Sequence, residues 1–396
     1  MLIKNVSALL GQELDFTQKI NLQIQNDSFK RIQTSIHPNS NEDVIDGEGL
    51  LVIPGFINAH IHIGDSIGKD VTLDSSVDKK IHPVFGAKSK ILKHTSNENL
   101  ENFMKNSCYS MIRKGTTTFV DFREGGLNGV MILKNALKDV PIRSIILGRV
   151  ENYSSTLEIR KNSPFPKAKN DELLSIIKKC DGIGISGANE NSNSVLNHYS
   201  KTTKIRAIHS AETKQSTSKS KKITGKSETI RALSMKPHFL VHMTYASKSD
   251  LHKAAQKTRG IVVCPRANSS LAEGIPDVEL MKKAGCTLGL GTDNVMVNSP
   301  DMFREMDFLW KVTMGIHKKR INPKEILKMA TVNGGKILKK NIGVIGIGKL
   351  ADCIFIDKHS LDLEPMHNPH ASIVHRASES AIKAVMIGGE IVHGKI

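Results

Sequence analysis

Two histidines separated by one residue, His60 and His62, follow a short apolar run near the start of the chain. Side chains on a strand alternate between its two faces, so both imidazoles would point the same way and could bind one metal ion. A single His-x-His pair is weak evidence in a chain with 16 histidines. The surroundings favour a metal site, because a strand-like run at 50–53 ends at Pro-Gly and residues 56–63 predict a second strand that carries both histidines.

Polar residues also end three later predicted strands: His209 the fifth, His242 the sixth and Asp293 the eighth. Three histidines and one carboxylate form a ligand set suited to Zn²⁺ or Fe²⁺ with a position left open for water. A bound metal ion can lower the pKa of that water to about 7, which supplies hydroxide at neutral pH. Glu212, three residues after His209, would then move protons and would not bind the metal.

The elements that must position these residues follow an alternating pattern from residue 56 onward. Seven further strand-like segments alternate with amphipathic helical segments, which with the strand ending at His62 makes the eight strands of a (β/α)8 barrel. In such a barrel the catalytic groups converge at the carboxyl ends of the strands. The two β-rich ends each bury too little apolar surface alone. We therefore predict an α/β fold with a TIM barrel at 54–346 and a small β-sandwich domain formed from 1–53 and 347–396.

Composition narrows the class of protein. The chain has 39% hydrophobic and 24% charged residues, as ordinary globular proteins do. Its five cysteines are an odd number with no Cys-x-x-Cys, which favours a reducing cytoplasm over a disulfide framework. No apolar run is long enough for a bilayer, and no signal peptide is predicted. The net charge of +17 is spread along the chain with only 4 Tyr and 1 Trp, so we expect a small-molecule partner and no nucleic acid.

Several motifs together resemble the amidohydrolase superfamily, in the branch of cytosine, guanine and S-adenosylhomocysteine deaminases and triazine chlorohydrolases. They are Pro54-Gly55-Phe56 to His62, His209-x-x-Glu212, His242, Cys264-Pro265-Arg266-Ala267-Asn268 and Gly291-Thr292-Asp293. The resemblance covers nearly the whole chain. It implies one divalent transition metal, Zn²⁺ in preference to Fe²⁺, with the ligands His60, His62, His209 and Asp293. Relatives in this branch also suggest a homodimer.

The same resemblance implies the catalytic roles. His242 would orient the water, Asp293 would take its proton, and Glu212 would protonate the ring nitrogen beside the attacked carbon. For His242, a structural role and direct metal ligation remain open. Relatives with two metals carry a carboxylated lysine on the fourth strand, but here that strand reads Gly182-Ile183-Gly184-Ile185-Ser186-Gly187, and the nearest lysines, Lys178 and Lys179, precede it. We therefore expect one catalytic metal ion.

Residues that would contact the substrate are harder to assign. The loop 64–95 does not match the sequence that relatives acting on nucleosides carry there. Arg123, Arg149 and Arg266 lie at or just beyond predicted strand ends and could hold an anionic or carbonyl group of a substrate. The lysine-rich stretch 214–228 is predicted to be a mobile solvated loop, with attraction of an anionic substrate as the alternative.

These observations favour a metal-dependent aminohydrolase that acts on the C–NH₂ group of an aromatic heterocycle such as a purine or pyrimidine. A cyclic amide hydrolase in the manner of imidazolonepropionase, which cleaves a different C–N bond, is the alternative. A non-catalytic scaffold of the same fold is a third possibility. It is disfavoured because all ligand positions and Glu212 are present together.

Overall fold

The computed structural model describes residues 1–71, 77–81 and 86–396. Its strands are β1 (Leu2–Leu10), β2 (Asp15–Gln25), β3 (Ser28–Gln33), β4 (Val44–Asp46), β5 (Leu50–Pro54), β6 (Phe56–His62), β7 (Thr116–Arg123), β8 (Arg143–Gly148), β9 (Gly182–Ile185), β10 (Ile205–Ser210), β11 (Phe239–His242), β12 (Ile261–Val263), β13 (Leu288–Leu290), β14 (Asp293–Asn294), β15 (Cys353–Asp357), β16 (Ile382–Ile387) and β17 (Glu390–Gly394).

The α-helices within the described residues are α1 (Val77–Ile81), α2 (Ala87–His94), α3 (Asn97–Arg113), α4 (Gly126–Ala136), α5 (Thr156–Lys161), α6 (Lys167–Lys179), α7 (Asn193–Tyr199), α8 (Lys214–Thr224), α9 (Glu228–Ser234), α10 (Lys248–Lys257), α11 (Pro265–Ser270), α12 (Val278–Lys283), α13 (Met302–Gly315), α14 (Pro323–Ala330), α15 (Val332–Leu338) and α16 (Pro369–His375). None of these helices is long and apolar enough to cross a membrane.

The parallel barrel is formed by β6 to β14 and confirms the predicted fold class. Its strands follow the chain order from β6 to β13, and β14 pairs with β6 so that the sheet closes on itself. The eighth predicted strand is divided into β13 and β14, with Gly291 and Thr292 between them. Buried apolar side chains of the barrel strands form one cluster, and a larger cluster lies between the strands and the surrounding helices.

A mixed sheet is built from both ends of the chain. Its strand order is β17-β16-β15-β5-β1-β2-β3, with β4 paired to β1, and it has its own buried apolar cluster. The chain passes from this sheet into the barrel at Gly55, where a Cβ atom would come within 2.3 Å of the Thr117 side chain. Only glycine allows that approach. The proposed division into two domains at 53/54 and 346/347 stays a prediction.

The lysine-rich stretch is a helix, so the prediction of a mobile loop over 214–228 was wrong. Thr213 caps the start of α8 by accepting a hydrogen bond from the Ser216 backbone N–H, and Gly225 ends the helix with a φ of +71°. Lysine itself favours helices, and these two caps supply the start and stop signals. The high lysine content of this stretch favours the prediction of a solvated loop, although residues 214–224 form a helix.

Candidate metal centre

Four predicted ligands meet at the carboxyl end of the barrel. His60 and His62 lie at the end of β6, His209 near the end of β10, and Asp293 at the start of β14. One ligand atom from each lies within 4.8 Å of all the others, and all four residues are buried. His209 Nε2 lies 3.2 Å from His60 Nε2 and 3.3 Å from His62 Nε2, and Asp293 Oδ1 lies 3.2 Å from His60 Nε2. The four donor atoms therefore face one common point.

Hydrogen bonds on the far sides of two rings orient their lone pairs toward that point. His209 Nδ1 lies 2.9 Å from the Ile185 carbonyl oxygen. His62 Nδ1 lies 3.1 Å from the Phe122 carbonyl oxygen and 2.8 Å from Glu124 Oε1. A ring that donates from Nδ1 presents an unprotonated Nε2, which is the form that binds a metal ion. The converging lone pairs and the carboxylate fit a divalent cation.

The pKa values of these groups agree with a cation site. Burial lowers the pKa of His60 to about 3, and burial together with the other histidines holds the pKa of His209 well below its usual range. Burial acts to raise the pKa of Asp293, but the hydrogen bond from His60 and the nearby histidines hold it well below its usual range. Neutral imidazoles and an ionised carboxylate are the protonation states that metal binding requires.

Glu212 and His242 form a second group beside the ligands. Glu212 Oε2 lies 3.6 Å from His242 Nε2, and both side chains approach Asp293. His242 Nδ1 lies 3.4 Å from Asn268 Oδ1, whereas its Nε2 and the Oε1 atom of Glu212 have no hydrogen-bond partner among the described residues. Burial raises the pKa of Glu212, His242 opposes this shift, and the charge of Asp293 reinforces it. A carboxyl group with a raised pKa is better suited to hold and transfer a proton.

Strained backbone positions carry these groups. Ala211, His242 and Asp293 have φ angles of 48°, 70° and 60°, in the left-handed region. This conformation costs a residue with a side chain about 1–2 kcal/mol. Gly291 precedes Asp293 closely, and a Cβ atom at Gly291 would lie 2.7 Å from the His60 carbonyl oxygen. Backbone in the left-handed region therefore carries three of the converging groups, as is common at functional sites.

Glu124 and Lys88 belong to the site although the sequence did not single them out. Glu124 follows β7 and contacts His62, while Lys88 on α2 places Nζ 2.6 Å from Glu124 Oε1 and 3.2 Å from Asp65 Oδ2. Burial acts to raise the pKa of Glu124, but Lys88 and His62 hold it well below its usual range. Glu124 ends a strand as the predicted ligands do, so the same signal could have found it; no motif marks Lys88.

The predicted arginines divide between the site and its surroundings. A cavity of about 140 Å³ is lined by His62, His209, Glu212, His242 and Asp293 as well as by Lys88 and Arg149. A neighbouring cavity of about 410 Å³ shares Lys88, Glu124 and Arg149 with it and also contacts Arg123. Arg123 is paired with Glu124 at 3.2 Å. Within the described parts of the chain, Arg266 lines neither cavity, and its backbone N–H donates to Glu305 Oε1 at 2.9 Å.

The loop 64–95 is described only in part, because 72–76 and 82–85 lie outside the described residues. Its described residues bring Asp65 and Lys88 beside the site. The fourth barrel strand, β9, contains only Gly182, Ile183, Gly184 and Ile185, and the preceding lysines lie at the end of α6. The structure therefore places no lysine of that strand at the ligand cluster.

Comparisons with known proteins agree with this geometry. Residues 51–392 match the model of the amidohydrolase family. A protein of Methanothermobacter thermautotrophicus with the provisional name aminohydrolase is 35% identical over 99% of both chains. The 5-methylthioadenosine/S-adenosylhomocysteine deaminase of Thermoanaerobacter pseudethanolicus is 30% identical over 99% of this chain and 93% of its own. The crystal structure of atrazine chlorohydrolase from Arthrobacter aurescens, complexed with zinc, superposes with a TM-score of 0.84 at 15% identity, over 98% of this chain and 94% of its own.

Proposed function

Because the chain belongs to the amidohydrolase family, we propose that it is a metal-dependent aminohydrolase that removes ammonia from the C–NH₂ group of an aromatic heterocycle. The observation that carries this proposal is the position of Glu212. Its carboxyl group has a raised pKa and lies in the same cavity as the ligands His62, His209 and Asp293, 3.6 Å from His242. A carboxyl group beside a metal site without being a ligand is what zinc deaminases use to move protons.

The donor set of His60, His62, His209 and Asp293 would hold one divalent ion. A bound ion of this kind lowers the pKa of a water molecule to about 7. We propose Zn²⁺, because nitrogen and carboxylate ligands suit it and the structurally similar atrazine chlorohydrolase was crystallised with zinc. One ion is proposed because the lysine that bridges two metals in related enzymes has no counterpart on β9.

The protein side chains would divide the proton transfers. Asp293 would accept a proton from the attacking water, and His242 would orient that water. Glu212 protonates the ring nitrogen beside the attacked carbon. The carbon would gain the oxygen of water, Asp293 would pass its proton to the amino group, and that C–N bond would break to release ammonia. The proton from Glu212 would stay on the ring nitrogen, and Glu212 would regain a proton from the oxygen as the carbonyl group forms. Each group contacts the cavity, and Glu212 and His242 each have an atom without a hydrogen-bond partner in the described part of the chain, which a substrate could contact.

The substrate would be a small molecule that extends past the inner cavity. A cavity of about 140 Å³ accommodates one heterocyclic ring, and the adjoining volume of about 410 Å³ leaves room for a substituent. Arg149 borders both cavities and is buried, with no hydrogen-bond partner for its Nε among the described residues. We propose that Arg149 binds a carbonyl or anionic group of the substrate. Candidate substrates for the assay include adenosine-type nucleosides, because a similar protein is named 5-methylthioadenosine/S-adenosylhomocysteine deaminase.

A Glu212→Gln variant tests the proposal. The amide keeps the shape of the side chain but cannot transfer the proton, so kcat should fall by about 10²–10⁴-fold while metal content stays unchanged. Soaking crystals of this variant with amino-substituted purines and pyrimidines should trap an unreacted ring in the inner cavity. Glu172→Gln, on α6 and away from the ligands, is the matched control and should retain activity.

Two outcomes would contradict the proposal. Unchanged ammonia release by Glu212→Gln would show that Glu212 does not transfer the proton. Ring opening without ammonia release by the wild-type protein would favour the cyclic amide hydrolase, in which water attacks a ring carbonyl and the ring C–N bond breaks.

A further inference from the structure

We propose that Glu228 is a positioning residue that fixes the Glu212 carboxyl group through the backbone amide of Ala211. This inference rests on the proton-transfer role proposed for Glu212. Glu228 is the first residue of α9 and is buried, with 4% of its surface exposed. Glu212 follows β10, whereas Glu228 lies on α9 and contacts Ala211, the residue directly after β10.

The contacts of Glu228 connect three segments around the cavity. Its Oε2 accepts hydrogen bonds from the Ala211 backbone N–H at 3.0 Å and from Ser216 Oγ at 2.7 Å. Its Oε1 accepts one from Asn189 Nδ2 at 3.3 Å. Ala211 follows β10, Ser216 lies in the first turn of α8, and Asn189 lies in the turn after β9. One buried carboxyl group therefore connects the turn that carries Glu212 to the first turn of α8 and to the turn after β9.

Ala211 needs such a contact because of its own conformation. Its φ of 48° lies in the left-handed region, where a residue with a Cβ atom is disfavoured. The direction in which the next residue, Glu212, projects depends on this angle. Strained backbone persists only where the surroundings over-determine it, and the hydrogen bond from the Ala211 N–H to Glu228 is one such constraint.

The second constraint connects Ala211 to the turn that carries His242. The Ala211 carbonyl oxygen accepts a hydrogen bond from the Tyr245 N–H at 2.9 Å, and the Ser210 carbonyl oxygen accepts one from the Met243 N–H at 2.9 Å. His242 itself has a φ of 70°. Glu212 and His242 thus lie at two turns with left-handed backbone that are hydrogen-bonded to each other, and Glu228 accepts a hydrogen bond from the first of these turns at the Ala211 N–H.

Glu228→Ala removes the acceptor and leaves the buried Ala211 N–H without a partner, so kcat should fall at least tenfold while KM and metal content stay unchanged. Glu228→Gln keeps an acceptor oxygen in the same place and should retain most of the wild-type kcat. A crystal structure of Glu228→Ala should show Ala211 outside the left-handed region and a longer separation between Glu212 and His242. Asp352→Ala is the matched control: it also removes a buried carboxylate that accepts from a backbone N–H, but far from the cavity, and should leave kcat unchanged.

If Glu228→Ala does not fold, Glu228→Asp provides the test, because it keeps the charge but withdraws the oxygen by one methylene group, and kcat should still fall. Adding Ala211→Gly should restore part of the activity, since glycine adopts the left-handed conformation without strain. A wild-type kcat in Glu228→Ala, or an unmoved Glu212 in its crystal structure, would overturn the inference. Failure of the wild-type protein to release ammonia would instead reject the proposed function, and the crystal structures would still decide whether Glu228 positions Glu212.

Discussion

Two carboxylates in this molecule, Asp352 and Glu212, differ in how fully they are hydrogen-bonded. Asp352, next to the mixed sheet, accepts two hydrogen bonds from Arg143, at 2.7 and 3.1 Å, and one from the Gly388 N–H at 2.7 Å. At the carboxyl end of the barrel, Glu212 Oε1 and His242 Nε2 lack a hydrogen-bond partner among the described residues. An unpaired buried polar group costs about 1–3 kcal/mol. We infer that Asp352 stabilises the fold, whereas Glu212 is available to bind a ligand.

Left-handed backbone occurs at the barrel end but is not confined to it, since Asn5, Leu14 and Asn26 of the mixed sheet and its turns also have positive φ angles. Three residues at or beside the site, Ala211, His242 and Asp293, have positive φ angles. Asp352 lies next to Gly388, whose φ of 61° is free of that cost because glycine has no side chain. Substitutions at the barrel end should therefore change chemistry more than stability, and substitutions at Asp352 should do the reverse.

The largest expected effect comes from the metal ligands. His209→Ala or Asp293→Asn should remove the bound metal and reduce kcat/KM by about 10⁴-fold or more, because the water would no longer be activated. Metal content by mass spectrometry and ammonia release measure both consequences. His198→Ala, at a half-buried histidine of α7, is the control. Full metal content and turnover in either ligand variant would show that the ligand assignment is wrong.

A smaller effect is expected at His242. His242→Ala should lower kcat by about 10²–10³-fold while the metal stays bound, since the histidine acts on the water and not on the ion. The same metal analysis separates this role from direct ligation. Loss of the ion in His242→Ala would make His242 a ligand, and unchanged kcat would give it a structural role only.

Glu124 should affect the metal indirectly. Its contact with His62 Nδ1 at 2.8 Å orients that ligand, so Glu124→Gln should weaken metal affinity by about 10–100-fold. Titration with a competing chelator measures this change. Glu151→Gln is a suitable control because Glu151 accepts hydrogen bonds from Gly125 and Tyr153 and is not in contact with His62. Equal metal affinity in Glu124→Gln and the wild type would remove Glu124 from the site.

Asp352 should show the smallest effect on activity and a clear effect on stability. Asp352→Asn weakens the ion pair with Arg143 and should lower the free energy of unfolding by about 1.5–3 kcal/mol. Chemical denaturation measures this loss, and kcat per folded molecule should equal that of the wild type. A large fall in kcat of Asp352→Asn without a loss of stability would contradict the proposed difference between Asp352, which stabilises the fold, and Glu212, which takes part in the reaction.

Much of the fold and of the ligand cluster could be predicted because polarity changes sharply at strand ends. His60, His62, His209 and Asp293 each interrupt an apolar strand, and the alternation of strands and helices brings such ends together. Glu124 carries the same signal but directly follows Arg123, which attracted the prediction of a substrate contact. In the structure Arg123 forms an ion pair with Glu124 at 3.2 Å, and Glu124 Oε1 lies 2.8 Å from His62 Nδ1.

Other features depend on tertiary contacts that no local pattern contains. Lys88 reaches the site from α2 and is identified only by the two carboxylates around it. Nothing in the sequence distinguishes Glu228 from other residues that begin a helix, and its role is recognised only from the hydrogen bond that it accepts from the Ala211 N–H. The left-handed angle of Ala211 likewise accompanies hydrogen bonds between two turns, since alanine does not favour that region.

Ammonia release by the zinc-loaded, full-length protein tests the central claim most directly. Amino-substituted purines, pyrimidines and adenosine-type nucleosides would be assayed beside imidazolones, with Glu212→Gln measured in parallel. The account predicts stoichiometric ammonia from at least one amino heterocycle, dependent on the metal and nearly abolished in Glu212→Gln. Ring opening without ammonia, or ammonia release that is equal in wild type and Glu212→Gln, would contradict it.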